Sequence, residues 1–539
     1  MKTSKIFLIF IIATFFLISC EKDVLDKKPL SEVTPEIVWG DYNLANYYVN
    51  GIYTRLMDYI RDLDCGTEIG DEGPSWAPIQ SWNNGDITAF LNPLEDWYGE
   101  WGSYYQSIRS TNLVLENISK VKGNKTQVNQ LKGQAYFLRA YFYSSLINLY
   151  GGVPIISKAL TLNDNLSIPK NTYDECVNFI VSDLDSASTL LPLEWDESNV
   201  GRATKGVSLA LKSRILLFAA SPLHNSSNDA AKWQLASDAA KAVIDLGVYD
   251  LYPDYYELFH VDNNSEVIFD KQYAYPASTP NIEFDQNPQN FEGAQGLWRP
   301  TQDLVDSYEM SDGKKISDPT SGYDLQNPYV NRDPRFYASI LYNGAIWREQ
   351  TVETFDDGFN GPGEQDETFG DNSFTGYYTR KFITEKNPIN QDDNRTGTNW
   401  ILMRYAEVLL NYAEAELNLG HEAVAREYIN MVRNRNTDMM PPIPDSVTGD
   451  ELIERYRNER KIELAFEEIH FFDVRRWEIA PEILSVPVHK MQITKNDDES
   501  FTYSVEELED RTWRDAMYYY PIPDSEIRKN KNLVQNPGW

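Results

Sequence analysis

Apolar residues recur at intervals of three and four along most of the chain, which is the spacing of one buried helix face. In residues 95–118 this spacing places Trp97 and Trp101 on a common face, so both are predicted to lie in the core. Seven further segments are predicted to be helical: 130–150, 173–191, 204–220, 229–246, 404–419, 423–435 and a long final helix over 451–477.

Glycine and proline mark the predicted helix ends. Gly151-Gly152 follows the second helix, and Gly420 separates the helices over 404–419 and 423–435 by a tight turn. Paired helices of this length resemble tetratricopeptide hairpins, although no regular 34-residue repeat is present. Unrelated helical hairpins have the same spacing and stay an alternative.

Two stretches interrupt the helical pattern. Residues 251–399 are dense in Gly, Pro, Asn and Asp, with short β-like pieces such as 266–270 and 336–342, and residues 62–92 are similar. Long loops are usually functional. We predict a mostly α fold, in which a tetratricopeptide-like scaffold (36–250 and 400–539) carries loop-rich, ligand-binding insertions (251–399 and 62–92) with a few short β pieces.

The first 20 residues are typical of an export signal. Lys2 and Lys5 precede an apolar run over 6–18, which is shorter than the roughly 20 residues that span a bilayer. The run ends at Ser19-Cys20, which resembles a bacterial lipobox and implies cleavage after Ser19 and acylation of Cys20. Residues 1–19 are therefore predicted to be a lipoprotein signal peptide, 20–35 a lipidated tether and 36–539 the folded domain. An ordinary signal peptide with a chance cysteine is the alternative.

Composition narrows the function. The net charge is -33, which makes generic nucleic-acid binding unfavourable because the chain repels phosphate backbones. Aromatic residues make up 13% of the chain, which favours a large aromatic core or a surface that stacks on ligands. Of the three cysteines, Cys65 and Cys176 are predicted to be buried and unpaired, although a disulfide between them stays open in an exported protein.

Short motifs are spread over nearly the whole chain. They are Val24-Leu25-Asp26, 133–141, Leu149-Tyr150-Gly151-Gly152-Val153-Pro154, 201–206, Ala219-Ala220-Ser221-Pro222-Leu223, Asp333-Pro334-Arg335, 404–410, 459–466, Pro521-Ile522-Pro523 and 535–539. Their joint order, behind a lipobox, resembles the SusD/RagB family of outer-membrane nutrient-binding lipoproteins. One departure is Glu467-Glu468-Ile469-His470, where the family tends to have a Gly before a basic residue.

This resemblance implies a function and a partner. It implies a lipoprotein anchored in the outer-membrane lipid through acylated Cys20 and facing the cell exterior. The helical scaffold would pack against a SusC-like TonB-dependent transporter, and the loops would capture an oligosaccharide or polysaccharide, or in some members a peptide, for import. The resemblance implies no catalysis and no cofactor.

Eight residues are candidates for ligand contact. A glycan site needs aromatic faces for the C–H faces of sugar rings, and amide or guanidinium groups for their hydroxyls. Trp76, Trp82, Asn83 and Asn84 share one Gly- and Pro-rich segment, and the others are Trp298, Arg299, Trp347 and Tyr378. Core packing is an equal alternative for each loop Trp. For Arg139 and Arg404, in apolar helices, buried ion pairs are favoured over ligand contact.

Other chemistries lack a matching pattern. The acidic loop over 356–372 does not have EF-hand spacing, and the five His form no HExxH or Cys/His cluster, so no metal site is predicted. A secreted glycoside hydrolase would suit the composition, but the pattern shows neither the βα alternation of a barrel nor the strands of a jelly roll. A peptide-binding or purely structural surface lipoprotein is a further alternative.

Overall fold

A computed structural model describes residues 34–58, 62–73, 77–274, 279–362, 373–389, 398–435 and 439–539. The helices are α1 Pro35–Gly40, α2 Tyr42–Tyr53, α3 Pro78–Asn83, α4 Pro93–Tyr98, α5 Glu100–Asn117, α6 Lys125–Tyr150, α7 Tyr173–Leu190, α8 Lys205–Ala220, α9 Ala230–Ile244, α10 Ile282–Gln286, α11 Gln302–Ser307, α12 Pro334–Ser339, α13 Tyr405–Asn418, α14 Glu422–Arg433, α15 Gly449–Glu463, α16 His470–Arg476, α17 Ala480–Ile483 and α18 Asp524–Lys529. The strands are β1 Gly70–Asp71, β2 Val267–Lys271, β3 Arg299–Pro300, β4 Ile340–Tyr342, β5 Ile346–Trp347, β6 Gln350–Thr351, β7 Tyr377–Thr379, β8 Trp400–Arg404, β9 Val488–Lys495 and β10 Phe501–Glu509.

The longest helices stack in chain order, as tetratricopeptide-like hairpins do. Helix α6 packs against α5 and α7, and α8 packs against α7 and α9. Helix α13 then packs on α9 and pairs with α14, although about 160 residues separate α9 from α13 in the sequence. The fold is therefore the predicted helical scaffold, with the loop-rich stretch inserted between α9 and α13.

Local sequence explains where these helices begin and how closely they pack. Helix α7 begins with a capping box in which Thr172 and Glu175 exchange side-chain and backbone hydrogen bonds. Gly133 lies where α6 meets the end of α7, and a Cβ there would lie 2.9 Å from the Leu191 side chain. The glycine thus permits the close approach of the two helices.

Two predicted helices are wrong because each is broken. Gly99, with φ of 56°, divides the predicted helix over 95–118 into α4 and α5. The break separates the two tryptophans: Trp101 is buried, whereas Trp97 is 66% exposed, contrary to the prediction. The predicted long helix over 451–477 ends at Glu463, because Phe466 and Glu468 adopt positive φ before α16 begins.

Within the described residues, the strands form five two-stranded antiparallel sheets: β1–β3, β2–β8, β4–β7, β5–β6 and β9–β10. The predicted β piece over 266–270 corresponds to β2, but the piece over 336–342 is the end of helix α12 followed by β4. The β9–β10 hairpin lies in a region assigned to the helical scaffold. Alternation of buried Met491 and Ile493 with more exposed residues is the sequence signal that would have predicted it.

Buried ion pairs fasten the loop-rich stretch to the scaffold. The Glu463 carboxylate, at the end of α15, accepts hydrogen bonds from Arg335 at 3.0 Å and from Arg404 and Arg435 at 2.7 Å each. Burial alone would raise the pKa of Glu463, but the three guanidinium groups hold it well below its usual range. Arg404 also contacts Glu266 at 2.8 Å, just before β2.

The predicted structural roles of two motif arginines are confirmed. Arg404 belongs to the network around Glu463, and Arg139 on α6 pairs with Asp183 on α7 at 2.7 Å. Both arginines are buried. Cys65 and Cys176 are free and buried, as predicted. Among the residues with described positions, no helix has the length and apolar composition needed to cross a membrane.

Candidate functional site

Four of the predicted ligand residues are buried within the loop-rich stretch. Trp347 donates from Nε1 to Asn287 Oδ1 at 2.8 Å, and Tyr378 donates from its hydroxyl to the Asn360 carbonyl at 2.9 Å. Trp298 stacks parallel to Phe466, with ring centroids 6.3 Å apart. All three, like Arg299, have exposed fractions of 1% or less, so they offer no face to a sugar ring in this structure.

Arg299 contacts the segment around Glu72 and Gly73. Its guanidinium lies 4.5 Å from the Phe374 ring centroid and donates to the Glu72 carbonyl at 3.4 Å. Gly73 has φ of 83°, and a Cβ there would overlap the guanidinium, so only glycine suits this approach. The Arg299 side chain therefore packs against the backbone of Glu72 and Gly73.

A buried carboxyl group, that of Asp62, lies beside Trp298. Asp62 accepts hydrogen bonds from Trp298 Nε1 and, at 3.1 Å, from the Tyr98 hydroxyl. Burial raises the pKa of Asp62 to about 7, in spite of these two donors. Burial and the nearby Asp62 and Asp71 also raise the pKa of Glu72 well above its usual value.

The segment expected to supply the first stacking platform turns inward. Trp82 is 1% exposed, because α3 directs it against Phe471 and Tyr520, at centroid distances of 5.6 and 5.0 Å. Asn83 is also buried and donates to the Cys65 carbonyl at 3.2 Å. Asn84 is exposed at the end of α3, and its ligand contact stays a prediction. Trp76 lies outside the described residues.

A partly exposed polar surface, which the sequence analysis did not single out, lies where β2 ends and β8 begins. We call it the Tyr273 surface, and it comprises Asp58, Lys271, Tyr273 and Asn399. Tyr273 donates from its hydroxyl to Asp58, and Lys271 pairs with the same carboxylate at 2.7 Å. Asn399 Oδ1 accepts from the Tyr273 backbone N–H at 2.9 Å. The antiparallel pairing of β2 with β8 brings Lys271 and Tyr273 close to Asn399, although about 130 positions separate them in the sequence.

Neighbouring groups hold the Tyr273 surface in place. Asn399 Nδ2 donates to Asp270 at 2.9 Å, and the Asn399 backbone N–H donates to Asp262 at 3.1 Å. Burial raises the pKa of Asp270 to about 6. A narrow slot of about 10 Å³, bordered by Tyr273, Pro280 and Trp400, opens beside the surface and has room for about one water molecule.

Larger cavities lie on the helical scaffold. An apolar groove of about 640 Å³ runs between α5 and the C-terminal segment and is lined by Trp101, Tyr105 and Leu533 among others. A shallow polar groove of about 660 Å³ lies between α6 and α7, beside Tyr136. Within the described ranges, no group of three or more His, Cys, Asp or Glu side chains is placed to hold a metal ion.

Comparison with known proteins accounts for this combination of scaffold and loops. A model of the SusD family matches residues 264–539. A second family model, described as starch-binding and associating with the outer membrane, matches residues 23–217. A SusD-like protein of known structure from Bacteroides fragilis is 32% identical, with a TM-score of 0.81 over 95% of this chain and 100% of its own. The chain belongs to the SusD family.

Further SusD-family proteins match over almost the full length. The curated SusD-like protein P2 from Formosa agariphila is 26% identical over 98% of this chain and 99% of its own. A SusD-like carbohydrate binding protein of known structure from Bacteroides fragilis is 26% identical, with a TM-score of 0.79 over 92% of this chain and 100% of its own. The SusD family is a non-catalytic, carbohydrate-binding family associated with the outer membrane, so the hydrolase alternative is set aside.

Proposed function

We propose that this SusD-family protein is a cell-surface lipoprotein that captures a glycan and transfers it to a TonB-dependent outer-membrane transporter. Family membership over nearly the whole chain is the observation that carries the proposal. The chemistry of the loops supports it, because an aromatic ring, an amide, a carboxylate and an ammonium group are held together on the Tyr273 surface.

The Tyr273 surface suits a sugar in two ways. The Tyr273 ring supplies an apolar face for stacking, and it is oriented by the bond from its hydroxyl to Asp58. Asp58 and Lys271 keep part of their surface exposed, so they can accept from and donate to neighbouring hydroxyl groups. Asn399 is already hydrogen-bonded to Asp270 and Asp262, so little conformational entropy would be lost when a glycan binds to the Tyr273 surface.

Membrane attachment is the second part of the proposal. Acylation at Cys20 would place two or more chains in the outer membrane, which gives stable anchoring where a single chain does not. The stretch over 20–35 would then act as the tether. The helical scaffold would contact a SusC-like transporter and close over it as a lid, which leaves the loops free to bind the glycan before import.

The experiment is calorimetry on the purified protein with maltohexaose, laminarihexaose, mannohexaose and xylohexaose. We expect one of these neutral oligosaccharides to bind and Tyr273→Ala to weaken that affinity at least tenfold. Tyr47→Ala is the matched control, because Tyr47 is 68% exposed on α2 and does not belong to the Tyr273 surface. Equal affinity in Tyr273→Ala and Tyr47→Ala would move the glycan site away from the Tyr273 surface. Release of reducing ends would contradict a binding protein.

A further inference from the structure

A smaller cleft, in addition to the two grooves described above, lies between α4 and α18. We call it the α4–α18 cleft. It has a volume of about 300 Å³, at the lower end of the roughly 300–1,000 Å³ of small-molecule sites. Its lining includes Phe90, Asn92 and Asp96 from one side and Pro523, Asp524 and Arg528 from the other.

The N-terminal side of the cleft is a tight turn that presents an aromatic ring. The backbone N–H of Thr88 donates to the Leu91 carbonyl at 2.9 Å, and the Thr88 hydroxyl accepts from the N–H of Leu91 at 3.1 Å. This closed turn leaves Phe90 74% exposed. The exposed ring borders the cleft, where a ligand could stack on it.

Contacts with the C-terminal segment hold this turn in place. Arg514 donates to the Ile87 carbonyl at 2.6 Å, and the backbone N–H of Asp524 donates to the Ala89 carbonyl at 3.3 Å. The two walls of the cleft are thus joined by hydrogen bonds between residues more than 400 positions apart. The cleft is therefore a built feature of the fold.

The polar groups of the cleft are donors and acceptors for hydroxyls. Arg528 pairs with Asp524 and lies 5.8 Å from the Phe90 ring centroid, while its side chain stays 71% exposed. Asn92 is 7% exposed: its Oδ1 caps α4 by accepting from the Glu95 N–H at 3.4 Å, and its Nδ2 has no hydrogen-bond partner among the described residues. A buried amide donor without a partner costs stability, and Asn92 borders the cleft.

The charge and the backbone of the walls select the ligand class. Asp96 and Asp524 outnumber the cation Arg528, so an anionic ligand is disfavoured. Pro521 and Pro523 carry no backbone N–H, so this wall lacks the donors with which a peptide strand would pair. A neutral sugar ring satisfies both conditions, and it would stack on Phe90 and supply both donors and acceptors.

We propose that the α4–α18 cleft is a second binding site for a neutral sugar, separate from the Tyr273 surface. Only its ligand class rests on the proposed function. Two sites on one chain would let a polymer be held at the scaffold while another part of it occupies the loops. Such bivalent capture strengthens binding of long chains more than of short ones.

The test is calorimetry with the same four hexasaccharides on Tyr273→Ala, which leaves the α4–α18 cleft intact. We expect Phe90→Ala, added to Tyr273→Ala, to weaken the remaining affinity at least fivefold, and Arg528→Ala to do the same. Tyr47→Ala, added in the same way, should leave it unchanged. Phe90 is mostly exposed, so its replacement is not expected to disturb folding.

The outcomes separate the two proposals. If Tyr273→Ala binds no hexasaccharide while the unaltered protein does, or if Phe90→Ala changes nothing, the second site is refuted and glycan capture stands. If Phe90→Ala weakens binding and Tyr273→Ala does not, the α4–α18 cleft is supported and the Tyr273 surface is refuted. If the unaltered protein binds none of the four probes, both proposals fail.

Discussion

At the scale of single residues, the neighbours of an aromatic side chain in the sequence did not determine whether it is exposed. A tryptophan beside glycine and asparagine satisfies the chemistry of a sugar platform, and Trp82 has such neighbours. The structure buries it nonetheless, because the short helix α3 turns its side chain towards Phe471 and Tyr520. The exposed aromatic rings Phe90 and Trp97 follow later, in segments that were predicted to be a loop and a buried face.

Replacement of Trp82 tests this reassignment. We expect Trp82→Ala to lower the free energy of unfolding by about 3–5 kcal/mol, the usual cost of removing a buried aromatic side chain. Urea denaturation measures the change, and Tyr47→Ala should stay within about 0.5 kcal/mol of the unaltered protein. Unchanged stability together with weaker glycan binding would restore Trp82 to the role that its neighbours in the sequence indicated.

The buried Asp62 carboxyl predicts a pH dependence. Its pKa of about 7 exceeds that of an unfolded Asp, so the folded state holds this proton more tightly. The stabilisation is complete below about pH 4 and is lost as the pH rises through 7. In Asp62→Asn we expect the fall in unfolding free energy between pH 5 and 8 to be smaller by on the order of 1 kcal/mol or more. Identical pH profiles for the two proteins would contradict this assignment.

At the scale of elements, the sequence predicted the long helices well and their interruptions poorly. Helices α6, α7 and α8 follow from apolar spacing, caps and the glycines or prolines after them, all of which are local signals. The break after Tyr98 falls at Gly99, which interrupts an otherwise continuous apolar periodicity, and no local pattern predicts the positive φ of Phe466 and Glu468 that follows Glu463. The Tyr273 surface could not be predicted for a related reason, because it requires the pairing of β2 with β8 across about 130 residues.

Glu463 tests how the elements are held together. In Glu463→Gln, three buried guanidinium groups lose their shared carboxylate, so we expect about 3–5 kcal/mol lower unfolding free energy. Amide hydrogen exchange should also become faster in β2 and β8, which this network fastens to α15. Glu451→Gln is the matched control, because Glu451 is exposed in the first turn of the same helix. Equal stability of the two variants would show that the network contributes no net stability.

At the scale of the whole molecule, the prediction of the fold rested on the resemblance as much as on periodicity. The motifs around Arg139, Asp333 and Arg404 are buried parts of the scaffold and its ion pairs. They therefore identify the family and its fold, and they carry no information about the ligand. The proposed ligand-binding residues of the Tyr273 surface depend for their position on long-range packing, which no local motif records.

The proposed membrane attachment of the whole molecule depends on one residue, Cys20. We expect Cys20→Ala to move the protein from the outer-membrane fraction to the soluble fraction, because the alkylated thiol would be absent. Cell fractionation followed by immunoblotting measures the shift, and Ser31→Ala, in the tether, is the control. Unchanged membrane fractionation of Cys20→Ala would contradict the lipid anchor.

The measurement that tests glycan capture most directly is affinity electrophoresis of the purified protein in gels that contain one neutral polysaccharide each. Starch, laminarin, mannan and xylan form the set, and the same samples are assayed for released reducing ends. We expect one polymer to retard the protein, Tyr273→Ala to reduce that retardation, and no reducing ends to appear. Free migration in all four gels, or release of reducing ends, would contradict a non-catalytic glycan receptor.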